Sequence, residues 1–116
     1  MKGRMQETTV SPGIETTDQN QDQRTPLFHV VLLDDDDHTY DYVVEMLQRI
    51  FLFSATEAFQ HAVEVDQTGR TIVITCELPQ AEFGRDQIHS YGADWRMPRC
   101  KGSMRAVIEP AGASER

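Results

Sequence analysis

FHVVLLDDDDHTYDYVVEML, residues 28 to 47, decides how this chain reads: an apolar run stops on four consecutive aspartates, and a helical pattern begins directly behind them. Phe28 to Leu33 is apolar except for His29. It is too short for a helix and is bounded by Pro26 and Asp34, so it predicts a buried strand. Behind the acids, Tyr40, Val43, Val44, Leu47, Ile50 and Phe51 recur at helical spacing. They predict the buried stripe of a helix from about Thr39 to Phe51, with Asp37 or Thr39 as N-cap and Asp41 favourable in the first turn. Four carboxylates at a strand end, beside an apolar helix face, suit a ligand that is cationic at one end and apolar at the other.

Beyond this segment, Ser54-Ala55-Thr56-Glu57 has capping-box spacing and opens a second helix. Phe59, Ala62, Val63 and Val65 supply its apolar contacts. Asp66 falls one turn beyond Ala62 on the same face, and Gly69 ends the helix in the left-handed conformation. Thr71 to Leu78, TIVITCEL, is rich in β-branched residues and reads as a strand. Pro79 suits the first turn of a third helix carrying Phe83, Ile88 and Tyr91, although Gly84 is a poor helix former. Asp94 to Gly102 reads as a loop that Trp95 anchors. Met104, Ala106 and Ile108 then alternate with Arg105, Val107 and Glu109 as a half-exposed last strand.

The order is therefore β-α-α-β-α-β. Residues 1–25 hold almost nothing to bury and are expected to be a disordered tail. Residues 26–111 form one domain, and 112–116 are a frayed C-terminus.

Composition excludes several classes. The 116 residues suffice for one small domain. Of the formal net charge of −8, the span Asp34 to Asp66 holds nine acidic residues against one basic residue, Arg49, so the acidity is local. Such a lobe attracts cations and repels phosphate backbones, which argues against nucleic acid. Cys76 and Cys100 have neither zinc-site spacing nor a disulfide framework. No apolar run has membrane-spanning length and the N-terminus lacks a signal-peptide core, so a cytoplasmic protein is expected, without a membrane partner. No activated nucleophile is visible beside a base, and His29, His61 and His89 read as surface or structural residues.

Three readings compete for Asp34 to Asp37. Clustered carboxylates suit Mg²⁺ or Ca²⁺, but no calcium-loop pattern of alternating ligands, central Gly and terminal Glu follows. A phosphoacceptor receiver also carries paired acids after its first strand, yet it needs a later Asp and a Lys that this chain does not place. The third reading is recognition of a peptide.

The third reading gains from a family resemblance. VLLDDDDHTYDYVVEML, FSATEAFQHAVEVDQTGR, TIVITCEL and the ending AVIEPA resemble, in that order and spacing, the ClpS adaptor family across about residues 26 to 111. The resemblance implies an α+β fold with a three-stranded antiparallel sheet packed with three helices, and no catalysis, cofactor or metal. It implies an adaptor, expected as a monomer, that binds substrates through a first residue Leu, Phe, Tyr or Trp and delivers them to the N-terminal domain of a ClpA- or ClpC-type AAA+ unfoldase. By the same resemblance the α-ammonium is held by Asp34, Asp36 and Asp66 with Asp35 beside them, and His38 lies near the peptide backbone. Leu32, Tyr40, Val43, Ala62, Val65 and Met104 line the side-chain pocket, and Glu77 and Glu82 face the unfoldase.

Some residues depart from the family pattern. Asp34 stands where Asn is usual, Asp66 where His is usual, and Glu82 where Lys is usual. Tyr40 and Ala62 each replace Met, and Met104 replaces Leu. A ClpS-like regulator that binds the unfoldase without reading first residues is the competing expectation.

Overall fold

Strand β1, Pro26–Leu33, takes the middle of the sheet, which accounts for a run that is apolar except for His29. Residues 25–113 are described in the computed structural model, and Leu27–Gly112 form one compact unit. Apart from Thr25, the tail expected at 1–25 lies outside the described residues. Strand β2, Arg70–Cys76, and strand β3, Ala106–Ala113, flank β1 in the antiparallel order β2-β1-β3. The β1–β2 register runs from Phe28 opposite Cys76 to Leu33 opposite Arg70. It shifts between Val30, opposite Ile74, and Val31, opposite Ile72. Val73 is thus the extra residue of a bulge, and it stays buried on the helix side together with Thr71.

Helix α1, Tyr40–Phe51, is capped by Thr39, whose Oγ1 accepts from the Tyr42 N–H at 3.1 Å. Its buried stripe is shifted from the one the spacing predicts: Tyr42, Val43, Met46 and Leu47 are buried, Val44, Ile50 and Phe51 are half-buried, and Tyr40 is 37% exposed. The cause is the segment after α3, which covers a second side of the helix. There the Tyr42 hydroxyl donates to Gly92 O, and its ring meets those of Tyr91 and His38. Helix α2, Ala55–Thr68, starts at Ser54, whose Oγ accepts from the Glu57 N–H at 3.1 Å, and stops at Gly69 with φ +90°. Its core face is Ala58, Ala62 and Val65. Phe59 is exposed instead, with its ring 5.8 Å from that of Tyr40. Alanines at this spacing let α1 and α2 lie close together.

Helix α3, Leu78–His89, begins inside the expected strand, because Glu77 has already turned into the N-cap conformation and Pro79 follows in the first turn. Phe83 is exposed, and the buried face is Ala81, Gly84 and Ile88. Gly84 has a packing role: a Cβ there would come within 3.2 Å of Ile74 Cδ1 and 3.3 Å of Phe51 Cε1. Strand β3 begins at Ala106 rather than Met104, although Arg105 O already accepts from the Leu33 N–H at 3.0 Å. It continues to Ala113, past the end expected for the domain. Sheet and helices share one core, with Val30, Leu32, Val73 and Ala106 packed against the helix residues. No helix among the described residues is long and apolar enough to cross a membrane.

Candidate functional site

The acidic turn is pinned from two directions. The Asp34 N–H donates to Gly69 O at 3.0 Å, which ties the end of β1 to the end of α2. Asp35 closes the turn on itself: its Oδ1 accepts from the Asp37 N–H at 2.9 Å and pairs with His38 Nδ1 at 2.7 Å. His38 Nε2 lies 2.8 Å from Gly102 O, and its side chain is only 5% exposed. Both His38 ring nitrogens are therefore engaged inside the chain. On the solvent side, Arg99 Nη2 donates to Asp36 O at 3.4 Å and lies 3.9 Å from Asp37 Oδ1.

The tie at Gly69 brings Asp34 and Asp66 together from opposite ends of the sequence segment. Asp34 is exposed as a residue, yet its carboxyl sits above the usual carboxylate range. Partial burial is the largest cause, a donation from the Asp35 N–H opposes it, and the charges of Asp66, Asp35 and Asp36 add to it. A group of acids that raises one of its own members binds a cation favourably, because the ligand charge relieves the repulsion. Across this group the Tyr40 hydroxyl donates to Asp66 Oδ2 at 2.6 Å, and this bond raises the Tyr40 phenol above its ordinary value.

Leu32, Val43, Ala62, Val65 and Met104 are all buried and all in the main core cluster, packed as core. Tyr40 is at the surface, against Asp66 and the ring of Phe59. A shallow depression is lined by Gln60, His61, Val63, Glu64, Gln67 and Thr68, all of α2, and by none of the acidic-turn residues. Glu77 and Glu82 are exposed at the start of α3. Among the described residues no three or more His, Cys, Asp or Glu side chains are arranged to hold a metal ion.

Two residues escape sequence reasoning. Asp94, read as part of a plain loop, is 1% exposed. It accepts from the Thr39 N–H at 2.7 Å, the Thr39 hydroxyl at 2.8 Å, the Arg96 N–H at 3.0 Å and the Arg96 guanidinium at 3.2 Å. It fastens the 92–103 loop to the N-terminus of α1, behind the acidic turn. Trp95, expected to anchor that loop, is instead 81% exposed with the Arg96 guanidinium 4.7 Å from its ring centre. The anchor is the carboxylate next to it. An isolated Asp carries no periodic signal, and its partner Thr39 lies 55 residues away. Cys100 is the second such residue, with its sulfur 3.2 Å from His38 Nε2.

A small antiparallel sheet backed by three helices is also the fold of a known structure. The structure of Agrobacterium tumefaciens ClpS2 bound to L-phenylalaninamide superposes with a TM-score of 0.65 over 75% of this chain and 99% of that one, at 23% identity. At that identity the likeness is one of fold. The sequence comparisons go further: residues 23–98 match the family model of the ATP-dependent Clp protease adaptor protein ClpS. The chain belongs to the ClpS family. The ATP-dependent Clp protease adapter protein ClpS of Nautilia profundicola is 30% identical over 72% of this chain and 80% of that protein. That of Gloeobacter violaceus is 34% identical over 66% of this chain and 86% of its own length. The family consists of adaptors of a protease, not of proteases.

Proposed function

We propose that this chain binds the amino-terminal residue of polypeptides that begin with Leu, Phe, Tyr or Trp and passes them to the N-terminal domain of a ClpA- or ClpC-type unfoldase. The observation that carries this is the Asp34 N–H to Gly69 O tie, which joins the acidic turn to the end of α2 and sets Asp34 near Asp66, while Leu32, Val43, Ala62, Val65 and Met104 share one core cluster. An α-ammonium meets the carboxylates, and the first side chain enters between α1, α2 and the residues before β3. The ligand of the similar ClpS2 structure, L-phenylalaninamide, has this chemistry: a free α-amine on an apolar side chain. Asp35 and His38 stiffen the turn that presents the peptide-facing groups, while Glu77 and Glu82 form the unfoldase-facing surface.

The competing reading, a regulator that docks on the unfoldase without reading first residues, draws support from the closed packing of the apolar group and from the Tyr40–Asp66 bond, which engages one of the carboxylates. Affinities for short peptides that differ only in the first residue separate the two. Leu, Phe, Tyr and Trp are expected to bind about 10-fold or more tighter than Ala, since burying a large apolar side chain contributes roughly 1.5–3 kcal/mol. Val and Ile should bind poorly, because their second Cβ substituent meets Tyr40. Ala62→Met fills one wall and should penalise Trp and Phe more than Leu. Affinity independent of the first residue would favour the regulator.

Asp66 is expected to act as a carboxylate rather than through its shape. Asp66→Asn should weaken a Phe-initiated peptide about 5- to 20-fold, the scale of one charge-assisted hydrogen bond near the surface. Asp66→His should recover part of the loss. Titration calorimetry showing both variants equal to the unmodified chain would remove Asp66 from the site. Binding should also weaken as pH falls, because protonating Asp34, whose carboxyl is raised, takes away one of the charges that face the ammonium.

A further inference from the structure

Phe59 is 51% exposed and takes no place in the core cluster, although it sits on a helix whose core face is complete without it in Ala58, Ala62 and Val65. Its ring lies 5.8 Å from that of Tyr40, tilted by 56°, and Tyr40 is itself 37% exposed. The Tyr40 hydroxyl in turn donates to Asp66 Oδ2 at 2.6 Å. Phe59 and Asp66 share one face of α2, two turns or about 10 Å apart along its axis, and Tyr40 of α1 touches both. A single exposed ring needs no explanation. Two in contact, joined by a hydrogen bond to a carboxylate of the candidate site, form an apolar surface that leads away from an ionic one.

Charge decides what that surface takes. Asp66 and Asp34 both act on the Tyr40 phenol, so the aromatic pair ends at two carboxylates. An occupant of matching chemistry carries a cation at one end and an apolar group a few ångströms further on. An extended polypeptide held by its first residue has this form. Successive side chains alternate, so the second points away from the protein and the third returns to the side of the first, about 6.5 Å along. With an α-ammonium at Asp34 and Asp66, a large third side chain is the one that reaches the aromatic pair.

We infer that Phe59, with the ring of Tyr40, is a specificity-determining residue for the third position of the substrate, where it takes an aromatic or large apolar side chain. The inference rests on the amino-terminal reading proposed above and adds a second requirement to it. An acidic third residue is disfavoured, since it meets the same carboxylates.

The test is titration of the full chain with peptides beginning Phe-Ala-Ala, Phe-Phe-Ala and Phe-Ala-Phe, identical beyond the third residue, each with a free and an acetylated amine. Phe at the third position is expected to tighten binding about 3- to 10-fold, the scale of one aromatic pair. At the second position it should change affinity by less than about 2-fold, because that side chain points away. Phe59→Ala should remove the third-position gain, leave the Phe-Ala-Ala peptide within about 2-fold and keep the melting temperature, as expected at an exposed site. Phe59→Tyr should retain the gain. Should Phe59→Ala not fold, the three peptides on the unmodified chain still decide the matter. No gain at the third position, with acetylated peptides still far weaker, would overturn this inference alone, and so would a gain that survives Phe59→Ala. Equal affinity of free and acetylated peptides would remove the amino-terminal reading and this inference with it. Weaker self-association of Phe59→Ala in sedimentation, with every peptide affinity unchanged, would assign the ring to contact between two copies and also overturn it.

Discussion

Acetylating the α-amine of a peptide that begins with Phe is expected to reduce its affinity at least about 100-fold, to below detection in most assays, because two or more charge-assisted hydrogen bonds of roughly 1.5–3 kcal/mol each are lost together. The loss exceeds that of any single carboxylate substitution for a physical reason. Without the ammonium, Asp34 and Asp66 remain close, partly desolvated by the peptide, and mutually repulsive. Isothermal titration of free and acetylated peptides of one sequence measures it directly, and raising the salt should weaken the free peptide selectively. Equal affinity for the two peptides would overturn amino-terminal recognition and leave docking on the unfoldase as the role of the family fold here.

The sequence carries the elements whose signals are local. The run Phe28 to Leu33, the Thr39 and Ser54 caps and the Gly69 stop are each written in a few adjacent residues, and each appears where its chemistry requires. Boundaries shift where two local signals compete. Leu78 is the apolar end of the strand-like run TIVITCEL, but Pro79 favours a helix start, and the helix takes Leu78.

Contacts between distant segments are not legible in this way. The buried arc of α1 moves from Tyr40 to Tyr42 because Gly92, Tyr91 and His38 cover that side, and no spacing within the helix announces it. Phe59 and Phe83 look like core by composition and are exposed, since alanines and Gly84 occupy the close helix contacts. The acidic turn is legible because its four aspartates are adjacent in the chain. That His38 faces Cys100 rather than solvent depends on a pairing 62 residues apart, and only the folded chain shows it.

Asp94→Ala should produce a large loss of stability, about 3–5 kcal/mol, because it leaves the Thr39 N–H, the Thr39 hydroxyl and the Arg96 N–H without their buried acceptor, although the Arg96 guanidinium keeps Glu45 at 3.1 Å. For a domain of this size that corresponds to a fall in melting temperature of more than about 10 °C. Burial by itself would raise the Asp94 carboxyl, but the donations from Thr39 and Arg96 outweigh it and hold the carboxyl below its ordinary value. A depressed carboxylate contributes stability in full above its unfolded value, near pH 3.9, and that contribution disappears as pH falls through the folded value. The difference in stability between the unmodified chain and Asp94→Asn should therefore narrow on acidification. Asp34 behaves in the opposite sense: its raised carboxyl opposes folding at neutral pH and ceases to do so in acid, so Asp34→Asn should weaken peptide binding without lowering the melting temperature. Thermal melts of the three variants at neutral and acid pH measure both trends. An Asp94→Ala protein that melts within about 3 °C of the unmodified chain would show that the 92–103 loop does not depend on this carboxylate. The acidic turn would then need another support, since the Asp94 bonds to Thr39 join that loop to the helix start next to it.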